Sequence, residues 1–414
     1  MWIFKVGVVG AGAMGGGIGQ VVTYAGLPVV IKDIDQGQLD EARKHVEAIY
    51  QSRIDKGKMT AGQVQEKLDL VEYTLDYDDF TDVDIVIEAV PEVMEIKQQV
   101  FRELDKICPP DTIFASNTSA LSITEIGAAT GRPQRMIGLH FFNPAHIMKL
   151  VEIIPAADTD QDTIDTAEQF TQELRKIPVV VKECPGFLVN RLLMPYLNEA
   201  VLAVEQGAAS AQQVDEAMGR GGFGWPMGPF FLMDMLGIDV CAHVGAYLYS
   251  QYGERVEPAK LFHKLMEAGR LGEKSGAGFY VFADPDAEPL EEIVERMQDA
   301  GEVETGSTFS PERLIMPFLN EAALCVQEDV ANVNDIDMAC IAGLGMQVAR
   351  DGELTRMGPL EYMDELGLDA VLEKLEGLEA ELGPRFHPAE IYYDKVRAGN
   401  LGKGTGLGFK EYTV

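Results

Sequence analysis

A chain of 414 residues, 46% of them hydrophobic, is long enough for two or three domains with real interiors. Its 67 acidic against 34 basic residues leave a net charge of −33, a surface that repels nucleic acid and anionic membranes. No apolar run has the length of a bilayer-spanning helix, which argues against membrane insertion, and MWIFKVGVVGAG does not read as a secretory leader; with five cysteines that lack C-x-x-C or zinc spacing, a reducing, cytoplasmic location is expected. The acidic residues are scattered, which favours adaptation to high salt, where a Debye length of roughly 3 Å near 1 M screens self-repulsion.

In chain order, IFKVGVVG reads as a strand and AMGGGIGQVVTYAG as a helix stopped by Gly26. PVVIKDID is a second strand, followed by a long polar helix that breaks around DKGKMTAGQ. VDIVIEAVPE is a buried strand, EIKQQVFRELDKIC a helix, and TIFASNTS, RMIGLHFFNP and LVEIIPA are further strands. This alternation predicts a parallel sheet covered by helices, an α/β Rossmann-type domain over residues 1–184.

After about Pro185 the pattern is mostly helical, and it repeats. RLLMPYLNEA from Arg191 returns as RLIMPFLNEA from Arg313, an offset of 122 residues. MGPFFLMDMLGID from Met227 returns as MGPLEYMDELGLD from Met357, and LGEKSGAGFYVF from Leu271 as LGKGTGLGFKEY from Leu401, both at 130. Matched blocks in one order predict two tandem all-α domains, residues 185–283 and 305–414, joined by an acidic linker over 284–304. The second carries eight extra residues around GMQVARDGELTR.

VGVVGAGAMGGGIGQ supplies Gly10, Gly12 and Gly15 as G-x-G-x-x-G between a strand and a helix, with Met14 inside the loop. Gly10 suits the tight turn, Gly12 the approach of a pyrophosphate, and Gly15 close helix–strand packing. The helix start then offers free N–H groups and a positive dipole end to phosphates. Asp33, at the end of the second strand, can take both ribose hydroxyls and would repel a 2′-phosphate, which favours NAD over NADP. Strand alternation turns Lys32 away from Asp33.

GLHFFNPAHIMKLVE places His140 at a strand end and Glu152 on the strand that follows. A histidine removes a proton near neutral pH, and a carboxylate on its other ring nitrogen fixes the tautomer and stabilises the imidazolium. A lone histidine there is more often a satisfied core residue, but a nucleotide site makes the strand ends a place for ligands.

Over roughly residues 5–282 the chain resembles the 3-hydroxyacyl-CoA dehydrogenases, through GAGAMG, IEAVPE, ASNTSALSIT, GLHFFNP, MKLVEII and PGFLVNRLLMPYLNEA. The resemblance implies NAD-dependent, reversible oxidation of (S)-3-hydroxyacyl-CoA, with His140 as general base and Glu152 as its partner. It implies Ser119 and Asn190 beside the reacting oxygens, Glu92, Lys97 and Asn117 near the nicotinamide half of the cofactor, and an active site in the cleft between domains. Fatty-acid oxidation multienzymes carry this unit with a duplicated helical domain behind a hydratase; here dehydrogenase activity alone is expected. The second helical copy has Glu312 where the first has Asn190 and Thr308 where the first has Gly186, so it is expected to be structural. It would imitate a dimer contact, giving a monomer with an internal pseudo-dimer, or a homodimer.

For coenzyme A the stretch YQSRIDKGKMT offers Arg53, Lys56 and Lys58, which read equally well as a solvated helix end. Two other readings stay open. One is a dehydrogenase of a non-CoA hydroxy acid such as a sugar acid; the other is a non-catalytic nucleotide-binding scaffold.

Overall fold

All four residues of β1 (Val6–Val9) are buried, as expected of a central parallel strand with both faces covered. The other strands of its sheet are β2 (Val29–Lys32), β3 (Val71–Thr74), β4 (Ile85–Glu88), β5 (Ile113–Ser116), β6 (Met136–Phe141), β7 (Leu150–Pro155) and β8 (Ile177–Val180). Their order is β3-β2-β1-β4-β5-β6-β7-β8. All neighbours run parallel except β6 and β7, which are antiparallel. The first six strands follow the dinucleotide-binding order, with its switch point between β1 and β4. The computed structural model describes residues 1–350 and 352–413 and divides into two units, Met1–Phe187 and Leu188–Val414.

The helices of the first unit are α1 (Ala13–Ala25), α2 (Gln36–Asp55), α3 (Ala61–Leu68), α4 (Met94–Leu104), α5 (Ile123–Gly127) and α6 (Gln161–Glu173). Helix α1 ends where Gly26 turns left-handed at φ 103°, and α2 and α3 are separate because Thr60 and Gln63 form a capping box. Glycines inside α1 each cost about 1 kcal/mol of helix propensity. Gly19 repays this by packing: a Cβ there would stand 2.5 Å from Ile31 Cδ1 on β2. A Cβ on Gly15 would stand 1.7 Å from the Gly10 carbonyl oxygen, so Gly15 serves the glycine turn itself and Gly19 the helix–strand contact.

The second unit holds α7 (Val189–Glu205), α8 (Ala211–Met218), α9 (Pro229–Leu236), α10 (Ile238–Tyr252), α11 (Leu261–Glu267) and α12 (Leu290–Asp299). The second copy follows as α13 (Pro311–Gln327), α14 (Val333–Leu344), α15 (Pro359–Leu366), α16 (Leu368–Leu382) and α17 (Glu390–Arg397). One departure from an all-α reading is the insertion. It forms an antiparallel pair, β9 (Gln347–Arg350) and β10 (Glu353–Arg356). Gly352 at φ 83° permits the turn, and Ala349 N–H donates to the Phe223 carbonyl.

The repeated letters have repeated jobs. Asp215 accepts from the N–H groups of Phe230 and Phe231 at the start of α9, and Asp337 does so from Leu360 and Glu361 at the start of α15. Gly228 and Gly358 must be glycine because a Cβ would stand 2.3 Å from the Asp215 Cγ and the Asp337 Cβ, respectively. Asp234 and Asp364 each take two N–H groups from the strap that follows. Between the copies α7 packs on α13, and two arginine–glutamate pairs are exchanged. Arg191 Nε donates to Glu321 Oε1 at 2.7 Å and Arg313 Nε to Glu199 Oε1 at 2.6 Å. Arg255 adds a second bond to Glu321 and Arg385 adds a second to Glu199.

Candidate functional site

The turn from β1 into α1 is built as a phosphate cradle. Gly10 sits at φ 100°, where a Cβ would strike the Ala89 backbone at 2.5 Å. Gly12 has no atom within 4 Å of a would-be Cβ, so the loop backbone is open to a ligand, and half-buried Met14 packs against the core beneath. Asp33 lies just past β2 and is tied into the cradle. Its Oδ2 accepts from Ala11 N–H at 2.7 Å and its Oδ1 from Ile34 N–H at 2.7 Å. Lys32 is turned away, its ammonium 4.0 Å from the centre of the Tyr77 ring.

His140 and Glu152 are directly opposite in the β6–β7 ladder, so both side chains leave the same face of the sheet. His140 Nδ1 and Glu152 Oε2 are 2.7 Å apart, with His140 6% exposed and Glu152 wholly buried. Phe142 and Phe187 pack on the imidazole at ring distances of 4.5 and 5.9 Å. With Nδ1 committed to the carboxylate, Nε2 is the nitrogen left for chemistry. Asn117 Oδ1 accepts from Phe141 N–H at 2.8 Å and so fixes the end of β6 next to the histidine.

A second network fixes the loop that carries Ser119. Lys97 is 1% exposed, and its ammonium meets Glu88 Oε1 at 2.8 Å, Glu92 Oε2 at 3.2 Å and the Val90 carbonyl at 3.3 Å. It donates to Glu88 and to the Val90 carbonyl and is ion-paired with Glu92, so it is engaged by protein groups on all of these sides. Glu92 in turn accepts from Thr118 Oγ1 at 2.5 Å and Ser119 N–H at 3.0 Å. Burial raises the pKa of Glu88 despite Lys97, whereas for Glu92 Lys97 and the loop hydrogen bonds outweigh burial and lower it. Glu88, Ser116 (which donates to Glu88 Oε2 at 2.6 Å) and Thr118 escaped the sequence reading. The signal available was the first glutamate of IEAVPE, a carboxylate at the end of an otherwise apolar strand.

Of the remaining predicted residues, Asn190 is half-buried in the first turn of α7, in the second unit. Arg53 lays its guanidinium over the Tyr24 ring at 4.1 Å, while Lys56 and Lys58 are exposed. Nearby basic groups were not singled out beforehand. His146 lies 6.4 Å from His45, ring to ring, and its pKa is lowered by burial first, then by His45, Lys176, Arg53 and Lys56. Lys176 gives its ammonium to the Ala145 and Met148 carbonyls in the loop after His140. That loop contains a cis peptide at Asn143–Pro144. Among the described residues no cluster of ligating side chains could hold a metal, and no single helix is long and apolar enough to cross a membrane.

The model of the 3-hydroxyacyl-CoA dehydrogenase NAD-binding domain matches residues 5–184, and that of the family's C-terminal domain matches residues 186–282 and 309–412. A fatty acid oxidation complex subunit alpha from Psychrobacter arcticus is 37% identical over 408 residues, 96% of this chain and 55% of that protein. One from Shewanella amazonensis is 37% identical over 94% of this chain and 54% of its own length. The chain thus spans about half the length of these curated relatives. Among solved structures, 3-hydroxybutyryl-CoA dehydrogenase from Escherichia coli K12 aligns with a TM-score of 0.85 at 28% identity, over 96% of this chain and 99% of that one. An (S)-3-hydroxybutyryl-CoA dehydrogenase from Ralstonia eutropha aligns with a TM-score of 0.66 at 39% identity, over 68% of this chain and 100% of that one. With the NAD-binding-domain model matching residues 5–184 and the C-terminal model matching two further segments, the chain belongs to the 3-hydroxyacyl-CoA dehydrogenase family.

Proposed function

We propose that the protein interconverts (S)-3-hydroxyacyl-CoA and 3-oxoacyl-CoA, with His140 as general base and Glu152 as the group that orients and charges it. The observation that carries this reading is the 2.7 Å contact between His140 Nδ1 and the buried Glu152 carboxylate. Gly10, Gly12, Gly15 and Asp33 suit the adenosine half of NAD. The open backbone at Gly12 and the carboxylate hung on Ala11 N–H are what a pyrophosphate and a ribose diol require. The bound nicotinamide would supply the hydride acceptor. His140 Nε2 removes the proton of the 3-hydroxyl in oxidation and returns it in reduction. Glu152 holds the imidazole in the tautomer that leaves Nε2 basic, and it stabilises the imidazolium once the proton arrives.

Glu92 and Lys97 take positioning roles in this reading. Lys97 is spent on protein acceptors, so it reaches the cofactor's surroundings through Glu92, which in turn sets the Ser119 loop. Ser119 and Asn190 are assigned to the substrate's oxygens. Arg53, Lys56 and Lys58, joined by His45 and His146, are assigned to the anionic end of coenzyme A. That assignment favours an acyl-CoA over a sugar acid, because the rest of a chain of net charge −33 repels a polyanion. The exchanged Arg–Glu pairs between α7 and α13 support a monomer in which the second copy supplies the partner face. A net charge of −33 disfavours nucleic acid as a partner, and cysteines without pairing logic suit a cytoplasmic location.

The test is NADH oxidation at 340 nm with acetoacetyl-CoA, at low and high salt. His140→Gln is expected to lose about 10³-fold or more in kcat, with NADH affinity unchanged by fluorescence titration. Wild-type turnover by that variant would remove His140 from the role.

A further inference from the structure

The loop that bears Ser119 is held at both ends by carboxylates from distant parts of the chain. It leaves β5 at Ser116 and ends where α5 begins. Its first half is held by Glu92, which accepts from Thr118 Oγ1 at 2.5 Å and Ser119 N–H at 3.0 Å. Its second half is held by Glu183, which follows β8. Glu183 Oε1 accepts from Ser122 Oγ at 2.7 Å and Thr124 N–H at 3.2 Å, and Oε2 accepts from Thr124 Oγ1. Both hydroxyls are acceptors as well. Ser122 Oγ takes Glu125 N–H at 3.1 Å as the cap of α5, and Thr124 Oγ1 takes Ala157 N–H at 2.9 Å, just past β7. Each hydroxyl therefore has its one proton directed at the carboxylate.

The segment that carries Glu183 also reaches the histidine. It starts where Val181 N–H donates to the Ile153 carbonyl at 2.8 Å, one residue from Glu152 on β7. Gly186 and Phe187 then take left-handed backbone at φ 76° and 50°, a region that a phenylalanine rarely enters. Phe187 N–H donates to the Cys184 carbonyl at 3.0 Å, and the ring so turned lies 5.9 Å from that of His140. One half-buried carboxylate thus joins the Ser119 loop to the segment that packs on His140. We propose that Glu183 is a positioning residue, which sets Ser119 against His140 so that both meet the 3-hydroxyl. The inference rests on the proposed function, in which Ser119 meets a substrate oxygen and His140 takes the proton, and it adds the residue that holds the two in one frame. A glutamine at 183 presents one carbonyl oxygen in place of two, so the donor that faces its amide nitrogen loses an acceptor. Displacing a reacting group by about 1 Å can cost on the order of a hundredfold in rate.

The test is a double-mutant cycle on kcat with acetoacetyl-CoA and NADH, using the full chain in high salt. Glu183→Gln is expected to lower kcat by about tenfold or more, with NADH affinity unchanged by fluorescence titration. Ser119→Ala is expected to lower kcat by about tenfold. The double variant should lie less than about threefold below the slower single one, because no serine hydroxyl is left for Glu183 to place. A residue that only supports the fold would give the product of the two losses. Should Glu183→Gln fail to bind NADH, Ser122→Ala takes its place in the cycle. It removes one donor, and its expected loss of about threefold should vanish in the Ser119→Ala background. Multiplied losses, or wild-type kcat in Glu183→Gln, would overturn the positioning role. Wild-type kcat in Ser119→Ala would instead overturn the assignment of Ser119, and absence of turnover by the wild type the dehydrogenase reading itself; the role of Glu183 falls with either.

Discussion

Lys97 and Glu88 meet at 2.8 Å with 1% and none of their side chains exposed, so the ion pair at the end of β4 is closed to water. Through Glu92, 3.2 Å from the same ammonium, this pair is connected to the loop that bears Ser119. Removing one partner of a buried pair leaves an uncompensated charge, which typically costs about 3–5 kcal/mol. Glu88→Gln keeps the shape and one hydrogen bond, so about 3 kcal/mol is expected from urea denaturation. A loss below about 1 kcal/mol would mean that Glu92 alone suffices for Lys97.

Asp33 is held by Ala11 and Ile34 N–H groups before any ligand arrives. Asp33→Ala should raise KM for NAD about tenfold or more, through the lost ribose hydrogen bonds. It should also narrow the preference over NADP, because the charge that repels a 2′-phosphate is gone. Parallel titrations of NADH and NADPH decide this, and an unchanged NAD-to-NADP ratio would take Asp33 out of the ribose site.

The exchanged pairs between α7 and α13 differ in one respect. Arg191 has Glu328 Oε2 as a second acceptor at 2.8 Å, whereas at the equivalent place Arg313 has the uncharged Gln206 Oε1 at 2.8 Å. Loss of Glu199 leaves Arg313 and Arg385 without a carboxylate, while loss of Glu321 leaves Arg191 its contact with Glu328. Glu199→Gln is therefore expected to destabilise by about 3–5 kcal/mol and Glu321→Gln by roughly 1–2 kcal/mol less. Denaturant midpoints measured side by side give the order, and the reverse order would contradict this account.

Lys176 is buried beneath the loop that follows His140, with a pKa lowered to about 8 by burial and then by Lys149. The unfolded value is near 10.5, so between about pH 8 and 10.5 the unfolded chain holds a proton that the folded chain lacks. Stability from this group then rises with pH, by at most about 1.4 kcal/mol per unit. Lys176→Met lacks that term. The stability of wild type relative to the variant should grow from pH 8 to pH 10, and a gap that stays flat or shrinks would show that Lys176 titrates elsewhere.

Much of the architecture was legible in the letters because it depends on local rules. The glycine turn after β1, the stop at Gly26 and the alternation of strand and helix are set by backbone freedom and apolar periodicity within a few residues. The repeat was legible because MGP and LGxxxGxGF keep a carboxylate and a glycine in contact in both copies. The insertion was visible as extra length, yet its hairpin was not, since its pairing at Phe223 is settled by a partner more than a hundred residues away.

What the sequence by itself determined is the set of chemical groups and their order: a glycine cradle with an acid after the next strand, a histidine and a glutamate on consecutive strands, and two copies of one helical unit. Only the tertiary structure decided which groups are already spoken for. It set His140 and Glu152 in register across an antiparallel pair, closed the Lys97 ammonium against Glu88, Glu92 and the Val90 carbonyl, and exchanged two arginine–glutamate pairs between the helical copies. Those outcomes depend on distance and on exclusion of water between residues far apart in the chain, and neither quantity is written in a local run of amino acids.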